Sequence, residues 1–455
     1  MNSQKKFSLE HHVKTFLLDA FTQSKLANPK LVVAFSGGLD STVLLQIFSK
    51  INKTLPFQLS AHHVHHGLSK NAGKWLDFCQ QTCLCLNVPF TLSKVNINKN
   101  SGLGVEATAR EARYKALLST DAQFVCLAHH QDDQAETLLL QLARGAGVKG
   151  LAGMPIINGK LMRPLLHVPR SHLKAYAKQH QLTWIEDESN ADTTFDRNFI
   201  RHEILPKLEK KYPAIKHTIS RSAQHMSDAN ELLDELALID AIKAGFDANK
   251  KSTVGLRSLN LSGLNLSALK NLSENRVNNC LRWWLAQNGL QMPSATQLQQ
   301  ISQQLFHAKS DANIELKVSE SLTLKRCQNR AYLVQKMPPN PPIDWLWQGE
   351  AEIVLPNQSR LTFSKIMGEG LSLRKIENAS LRIQFREGGE RFKPDLNRPR
   401  RSLKVILQNH EMPPWQREQL PLIFMNDTLV VIPNIGVDAS LQAGNDEMGL
   451  VVNWI

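Results

Sequence analysis

The sequence predicts three parts: an α/β N-terminal domain on a mostly parallel sheet, a small helical middle domain, and a β-rich α+β C-terminal domain. Three observations carry this. Strand-length apolar runs alternate with helical runs through the first half. Two helix-periodic segments, 276–287 and 295–307, stand in the middle. A proline-dense stretch, 337–342 (Met-Pro-Pro-Asn-Pro-Pro), has the composition of a stiff linker, and short apolar stretches at 361–363, 381–385 and 429–432 follow it. The expected boundaries are 1–217, 218–336 and 337–455.

In chain order, strands are expected at 31–35, 57–64, 90–95 and 124–128, with helices at 41–50, 71–86, 105–119 and 132–144. The glycine-rich segment 145–153 reads as a loop, 161–166 as a further strand and 171–180 as a helix. A long helical region is expected from about 196 to 238, then a polar, serine- and leucine-rich hinge at 250–266. Ligands on parallel sheets bind outside the carboxyl ends of the strands. Three polar clusters, at 36–41, 62–66 and 129–133, fall at such ends.

At 455 residues the chain is too long for one ordinary core. Its net charge of +13 points to a polyanionic partner. Six cysteines occur without a Cys-x-x-Cys pair, as expected of reduced thiols. The polar first ten residues hold no signal-peptide core and no run approaches a membrane span, so the expectation is a cytoplasmic protein without membrane contact.

The most informative segment is the apolar run 32–35 followed by Ser36, Gly37, Gly38, Leu39, Asp40 and Ser41, then an apolar helix. Paired glycines let backbone N–H groups turn inward, and the new helix adds its unpaired N–H groups and dipole. The result is a cradle for a phosphate or pyrophosphate. Asp40 would repel a bare phosphate and reads as a Mg²⁺ partner. No Gly-Lys-Ser/Thr ending is present, so this is not the common phosphate loop.

A second cluster opens the helix after the fourth strand: His129, His130, Gln131, Asp132, Asp133, Gln134, Ala135, Glu136. Asp132 and Glu136 are four apart and are expected on one face. Such acids can hold Mg²⁺, bind a cationic substrate or take a proton from an amine. On the predicted helix 105–119, Glu106, Arg110 and Arg113 share a face, either as an ion-paired stripe or as arginines reaching phosphate. Arg197 and Arg201 follow a dense polar segment at 185–192 and project from one face. The histidines at 62, 63, 65 and 66 lack the acid or cysteine companions of a metal site, and their role stays open.

The densest basic run lies in the C-terminal part: Arg382, Arg386, Arg391, Lys393, Arg398, Arg400, Arg401 and Lys404, interleaved with Phe385, Phe392 and Trp415. Such a surface can track RNA phosphates and stack on a base. Trp283 and Trp284 read as core for at least one of the pair.

The loop at 36–41 resembles the PP-loop of ATP pyrophosphatases. With 65–68, 104–114, 129–137, 144–145, 163–165, 185–201, 386–390, 403–404 and the residues Pro413, Pro414, Trp415 and Arg417, the chain resembles the tRNA(Ile)-lysidine synthetase family. That resemblance implies ATP and Mg²⁺ as cofactors and free lysine and a tRNA(Ile) with a CAU anticodon as partners. It implies transfer of the lysine ε-amine to C2 of the wobble cytidine through an adenylated base, so that the codon read changes from AUG to AUA and the charged amino acid from methionine to isoleucine. It further implies roles for the residues already named. Residues 36–41 would hold ATP, with Asp40 on the metal. Asp132, Asp133 and Glu136 would bind or deprotonate lysine, and Arg113, Arg197 and Arg201 would neutralise phosphate or position RNA. Arg386, Arg391, Arg400, Arg401, Lys404, Trp415 and Arg417 would meet tRNA. The alternative is another PP-loop tRNA modifier such as a cytidine thiolase, against which the spacing of Cys79, Cys83 and Cys85 counts. Oligomeric state is open, a homodimer included.

Overall fold

The computed structural model describes residues 7–65, 67, 71–96, 105–247, 263–290, 292–307, 314–335, 341–377 and 379–455. His66, Leu68, Gly104, most of the expected hinge and residues 337–340 of the proline-dense segment lie outside them, as does the Glu106 side chain. Two compact units divide the chain, residues 1–232 and 233–455.

The first unit opens with α1 (Leu9–Ser24), which the sequence reading did not anticipate. It is capped by Ser8, whose side chain accepts from the His11 N–H. There follow β1 (Lys30–Ala34), α2 (Leu39–Ile51), β2 (Gln58–His65), α3 (Ala72–Cys85), β3 (Phe90–Lys94), α4 (Val105–Leu118), β4 (Phe124–Cys126) and α5 (Gln131–Ala143). The short α6 (Val148–Leu151), β5 (Ile157–Asn158), β6 (Leu161–Met162) and α7 (Arg170–Gln179) come next. The sheet order is β3-β2-β1-β4-β6-β5, parallel except for the pairing of β5 with β6. Only two residues of the expected strand at 161–166 pair. After them Leu166 N–H bonds Arg163 O and Val168 N–H bonds Leu165 O, so the chain turns away from the sheet.

Both faces of this sheet are covered, which is why β1 and β4 read as unbroken apolar runs. Val13, Leu17, Val43, Leu44, Phe48 and Leu173, from α1, α2 and α7, are buried in one core. Leu117 of α4 packs with Val125, Leu127 and Leu161 in another. The chain moves outward from β1 to β2 and β3, then returns to place β4 on the other side of β1. Strand order therefore reverses between β1 and β4, and a crevice opens at their carboxyl ends.

A helical region follows: α8 (Asp196–Phe199), a π-type turn at Ile200–Ile204, α9 (Leu205–Lys211) and α10 (Ile215–Lys243). The expected single run is broken near Tyr212 and Pro213, where proline removes a backbone donor.

In the second unit, β7 (Leu264–Asn265), α11 (Leu266–Lys270), α12 (Glu274–Gln287) and α13 (Ala295–His307) form the expected helical part. They are joined by an antiparallel sheet ordered β7-β10-β9-β8, from β8 (Ile314–Lys317), β9 (Leu322–Cys327) and β10 (Arg330–Gln335). That sheet was not foreseen. Trp283 and Trp284 are both buried in the core it covers. The C-terminal part is β-rich. One sheet joins Trp345–Leu346, Leu381–Phe385, Pro421–Met425, Thr428–Ile432 and Gly436–Val437, and another joins Glu352–Val354, Arg360–Met367, Met448–Trp454 and Leu371–Ser372. A two-stranded ribbon pairs Arg391–Phe392 with Arg401–Ser402 and leads into a helix at Leu403–Asn409.

Candidate active site at the sheet switch point

The loop after β1 is shaped by Gly37, whose φ of +82° is a conformation that side chains disfavour. A Cβ there would stand 3.0 Å from both Cys79 Sγ and Ile185 Cδ1, and Gly37 O accepts from Ile185 N–H at 2.9 Å. The turn is therefore clamped from behind by α3 and by the segment near 185. Gly38 caps α2 without any side-chain bond to the first-turn N–H groups. Side chains of the loop therefore leave those N–H groups uncapped, as at an anion-accepting helix start. Ser36 Oγ and Ser41 Oγ lie 3.1 Å apart, and Ser41 and Thr42 hydroxyls each donate to Gly38 O at 3.0 Å. Leu39 is buried, which anchors the start of α2.

The loop after β4 faces it. His130 caps α5 in a reciprocal box: its backbone N–H donates to Asp133 Oδ2 at 2.9 Å, and its Nδ1 accepts from Asp133 N–H at 3.4 Å. With Nδ1 accepting, the proton sits on Nε2, which lies 3.5 Å from Asp40 Oδ2 and 3.4 Å from Asp133 Oδ2. Burial alone would push this imidazole down, but Asp133, Asp40 and Asp132 outweigh it and hold His130 above the ordinary histidine value. Asp40 is further met by Arg170, whose Nε is 3.4 Å from Oδ1.

The three acids of α5 part company. Glu136, with a side chain 1% exposed, accepts from Arg197 Nε at 2.8 Å and from Arg201 Nε and Nη2 at 2.6 and 2.8 Å. Asp133 Oδ1 accepts from Arg197 Nη2 at 2.9 Å and Arg201 Nη2 at 3.3 Å. Burial would raise the Asp133 carboxyl, yet His130 and Arg197 hold it well below the usual carboxylate range. Asp132 faces elsewhere: Oδ1 accepts from Arg170 N–H at 3.2 Å, and Oδ2 pairs with Lys216 Nζ at 2.9 Å. The expected face of Asp132 with Glu136 is thus replaced by the i, i+3 pair of Asp133 with Glu136. The two arginines select it, because Arg197 and Arg201, four apart across the junction of α8 and the π-type turn, present one doubly forked surface.

His129 Nδ1 accepts from Arg163 Nε at 3.3 Å. Burial, then Arg163, Arg197 and Arg113, drive this imidazole well below its ordinary value against the pull of Asp133. The influence of Arg113 on His129 places α4's half-buried arginine beside the cluster. Arg163, Arg170 and Lys216 were not among the expected site residues. Arg170 carried one signal: a cation at the first residue of a helix opposes the macrodipole, which suggests that something else holds it there. Two of the three histidines of β2 are spoken for. His62 bonds Thr91 and Ser93 hydroxyls at 2.7 and 3.0 Å, and His63 Nδ1 bonds Phe35 O at 2.8 Å. Among the described residues no three His, Cys, Asp or Glu side chains group as a metal site.

The C-terminal basic residues also separate. Arg400 pairs with the fully buried Asp438 at 3.2 Å, Arg386 with Glu390 at 3.4 Å, and Arg417 Nε donates to Met412 O at 2.6 Å. Trp415 sits edge-on to Tyr332, ring centroids 5.4 Å apart, with Lys325 Nζ 5.7 Å from its ring. Arg391 donates to Arg400 O at 3.0 Å and is exposed, as are Arg401 and Lys404.

A glycine turn opening a helix at the switch point of a mostly parallel sheet fits the class of ATP-using PP-loop domains, and a family model described as a PP-loop domain matches residues 8–208. Models described as the TilS substrate binding domain and the TilS substrate C-terminal domain match residues 264–332 and 381–454. The tRNA(Ile)-lysidine synthase of Nitrosomonas europaea is 42% identical over 437 residues, covering 93% of this chain and 92% of that protein. That of Coxiella burnetii is 34% identical over 437 residues, covering 94% of each. That of Legionella pneumophila strain Lens is 37% identical over 417 residues, covering 90% and 91%. The chain belongs to the tRNA(Ile)-lysidine synthase family, the ATP-dependent ligases of tRNA modification. Among the described residues no helix is long and apolar enough to cross a membrane.

Proposed function

We propose that this enzyme joins the ε-amine of free lysine to C2 of the wobble cytidine in a CAU-anticodon tRNA(Ile), converting ATP to AMP and pyrophosphate. The observation that carries the reading is the meeting of two loops across the β1–β4 crevice, where Asp40 and His130 make contact at 3.5 Å. One loop is built for phosphate and the other holds a dense set of acids and arginines.

A cytosine carbonyl oxygen is a poor leaving group. Its attack on the α-phosphorus of ATP makes it part of AMP, expels pyrophosphate and leaves C2 open to an amine. Residues 36–41 hold the phosphates, and the uncapped N–H groups of the first turn, Leu39 to Ser41, balance their charge. The uncapped helix start and the glycine cradle fit a triphosphate. Asp40 is the side chain that would hold Mg²⁺, which when bound screens phosphate charge.

Lysine arrives as an ammonium, with a pKa near 10.4 in water, and must lose a proton to attack. On this reading one of Asp132, Asp133 and Glu136 receives that ammonium. Asp133 and Glu136 already bind guanidinium groups and Asp132 binds Lys216, so a carboxylate must release a partner to take the substrate amine. Arg113, Arg197 and Arg201 balance phosphate or RNA charge once engaged. The exposed Arg391, Arg401 and Lys404 track tRNA phosphates, while Arg386, Arg400, Arg417 and Trp415 shape the surface that carries them.

The thiolase alternative loses support because burial pushes the Cys79 and Cys83 thiols up to about 12, leaving poor nucleophiles and ligands. All six cysteines are unpaired, in keeping with work in the reducing cytoplasm. Pyrophosphate release from ATP should require the CAU tRNA. Release that is equally fast without tRNA, or with methionine tRNA in its place, would refute the proposal.

A further inference from the structure

Arg170 is the first residue of α7, and it touches both loops of the crevice. Its backbone N–H donates to Asp132 Oδ1 at 3.2 Å, while its Nε reaches Asp40 Oδ1 at 3.4 Å. A charge-assisted N–H···O bond normally closes to about 2.7–2.9 Å, so the second contact is loose. The guanidinium is about one-third exposed, at 35%. Among the described residues its two Nη groups have no hydrogen-bond partner, so the planar fork stands open beside the phosphate loop.

A fork of this kind suits two phosphate oxygens at once. Asp40 sits in the first turn of α2, and any phosphate on that helix start lies within a few ångströms of its carboxylate. A divalent cation taken by Asp40 would compete with Arg170 for the same oxygen. The displaced guanidinium is tethered by its own backbone bond to Asp132, so it can turn without leaving the crevice.

We propose that Arg170 is a phosphate-binding residue of the ATP site: its guanidinium fork grips the pyrophosphate end of ATP, and a cation on Asp40 frees it to do so. The proposal rests on the reading that residues 36–41 hold ATP. It assigns Arg170 the departing pyrophosphate, so the residue should govern inhibition by that product as well as capture of ATP.

The test is steady-state kinetics of Arg170→Gln and Arg170→Lys in the full-length enzyme, with inorganic pyrophosphate as inhibitor. Arg170→Gln should raise the KM for ATP and the inhibition constant for pyrophosphate together, each about tenfold, with the KM for lysine within twofold of wild type. Arg170→Lys, which keeps the charge and loses the fork, should fall between the two. A residue that only braced α7 would change the thermal midpoint and not the pyrophosphate constant. Should Arg170→Gln fold poorly, the lysine variant decides. A pyrophosphate constant within twofold of wild type in a folded variant overturns the proposal. Gly37→Ala separates this from the underlying reading: if it too leaves ATP and pyrophosphate binding unchanged, the loop itself is not the nucleotide site.

Discussion

Replacing Glu136 by glutamine tests whether the acid–arginine cluster is a brace as well as a site. Glu136 is almost fully buried and takes three charge-assisted bonds, from Arg197 Nε and from Arg201 Nε and Nη2. Glutamine keeps one carbonyl oxygen but turns an NH₂ group toward guanidinium donors. Two cations then share Asp133 as their near counter-ion. Breaking a buried ion pair by removing one partner costs about 3–5 kcal/mol. The arginine side chains retain 20% and 24% exposure, which places the cost at the lower end, about 3 kcal/mol. For a unit of this size, each kcal/mol shifts the midpoint by roughly 2–4 °C, so the thermal midpoint should fall by about 6–12 °C. Urea and thermal unfolding of Glu136→Gln, Arg201→Gln and the double variant form a cycle, with a coupling of about 2 kcal/mol expected. A loss below about 1 kcal/mol in the single variant, with no coupling, would show that the cluster does not hold α5 to the helices after it.

Three further outcomes follow from the same geometry. Gly37→Ala places a Cβ 3.0 Å from Cys79 Sγ and Ile185 Cδ1 at φ +82°, so binding of a fluorescent ATP analogue should weaken at least tenfold. The His129 imidazole titrates below its unfolded value of about 6.5. The unfolded chain therefore binds the proton first, and stability falls as pH drops below about 6.5, by up to about 1.4 kcal/mol per pH unit from this group. Urea midpoints from pH 7.5 to 5 should show a slope of this sign, and His129→Gln should reduce it, the buried His62, His63 and His167 adding to the remainder and His130, held up by its acids, opposing it. Arg401→Ala with Lys404→Ala should weaken tRNA binding and reduce the slope of log K against log salt by roughly 1.5, while ATP-site kinetics with saturating tRNA stay unchanged.

Much of this arrangement is written locally. Alternating apolar and helical runs dictated a parallel sheet, and polar residues just past the ends of β1 and β4 had to meet at the switch point. Gly37 marks the turn because few other residues allow its φ of +82°. The partners of each acid are a different matter. Asp132 and Asp133 are adjacent and chemically identical, and only the arrival of Arg197, Arg201 and Lys216 from distant segments sorts them. Two-residue strands such as β5 and β6 carry no periodicity to read. Arg400 stood in a basic run like any surface arginine, and its buried partner Asp438 is 38 residues away. Arg170 stands as a cation at the very first residue of a helix, against the macrodipole, and the reason lies across the crevice.

The most direct test is incorporation of labelled lysine into unmodified CAU tRNA(Ile), with ATP and Mg²⁺, followed by nucleoside analysis. The account predicts one lysine per tRNA at the wobble cytidine, no label in methionine tRNA, and loss of incorporation in Asp40→Asn. Label absent from that cytidine in the wild-type protein, or unchanged incorporation by Asp40→Asn, would contradict it.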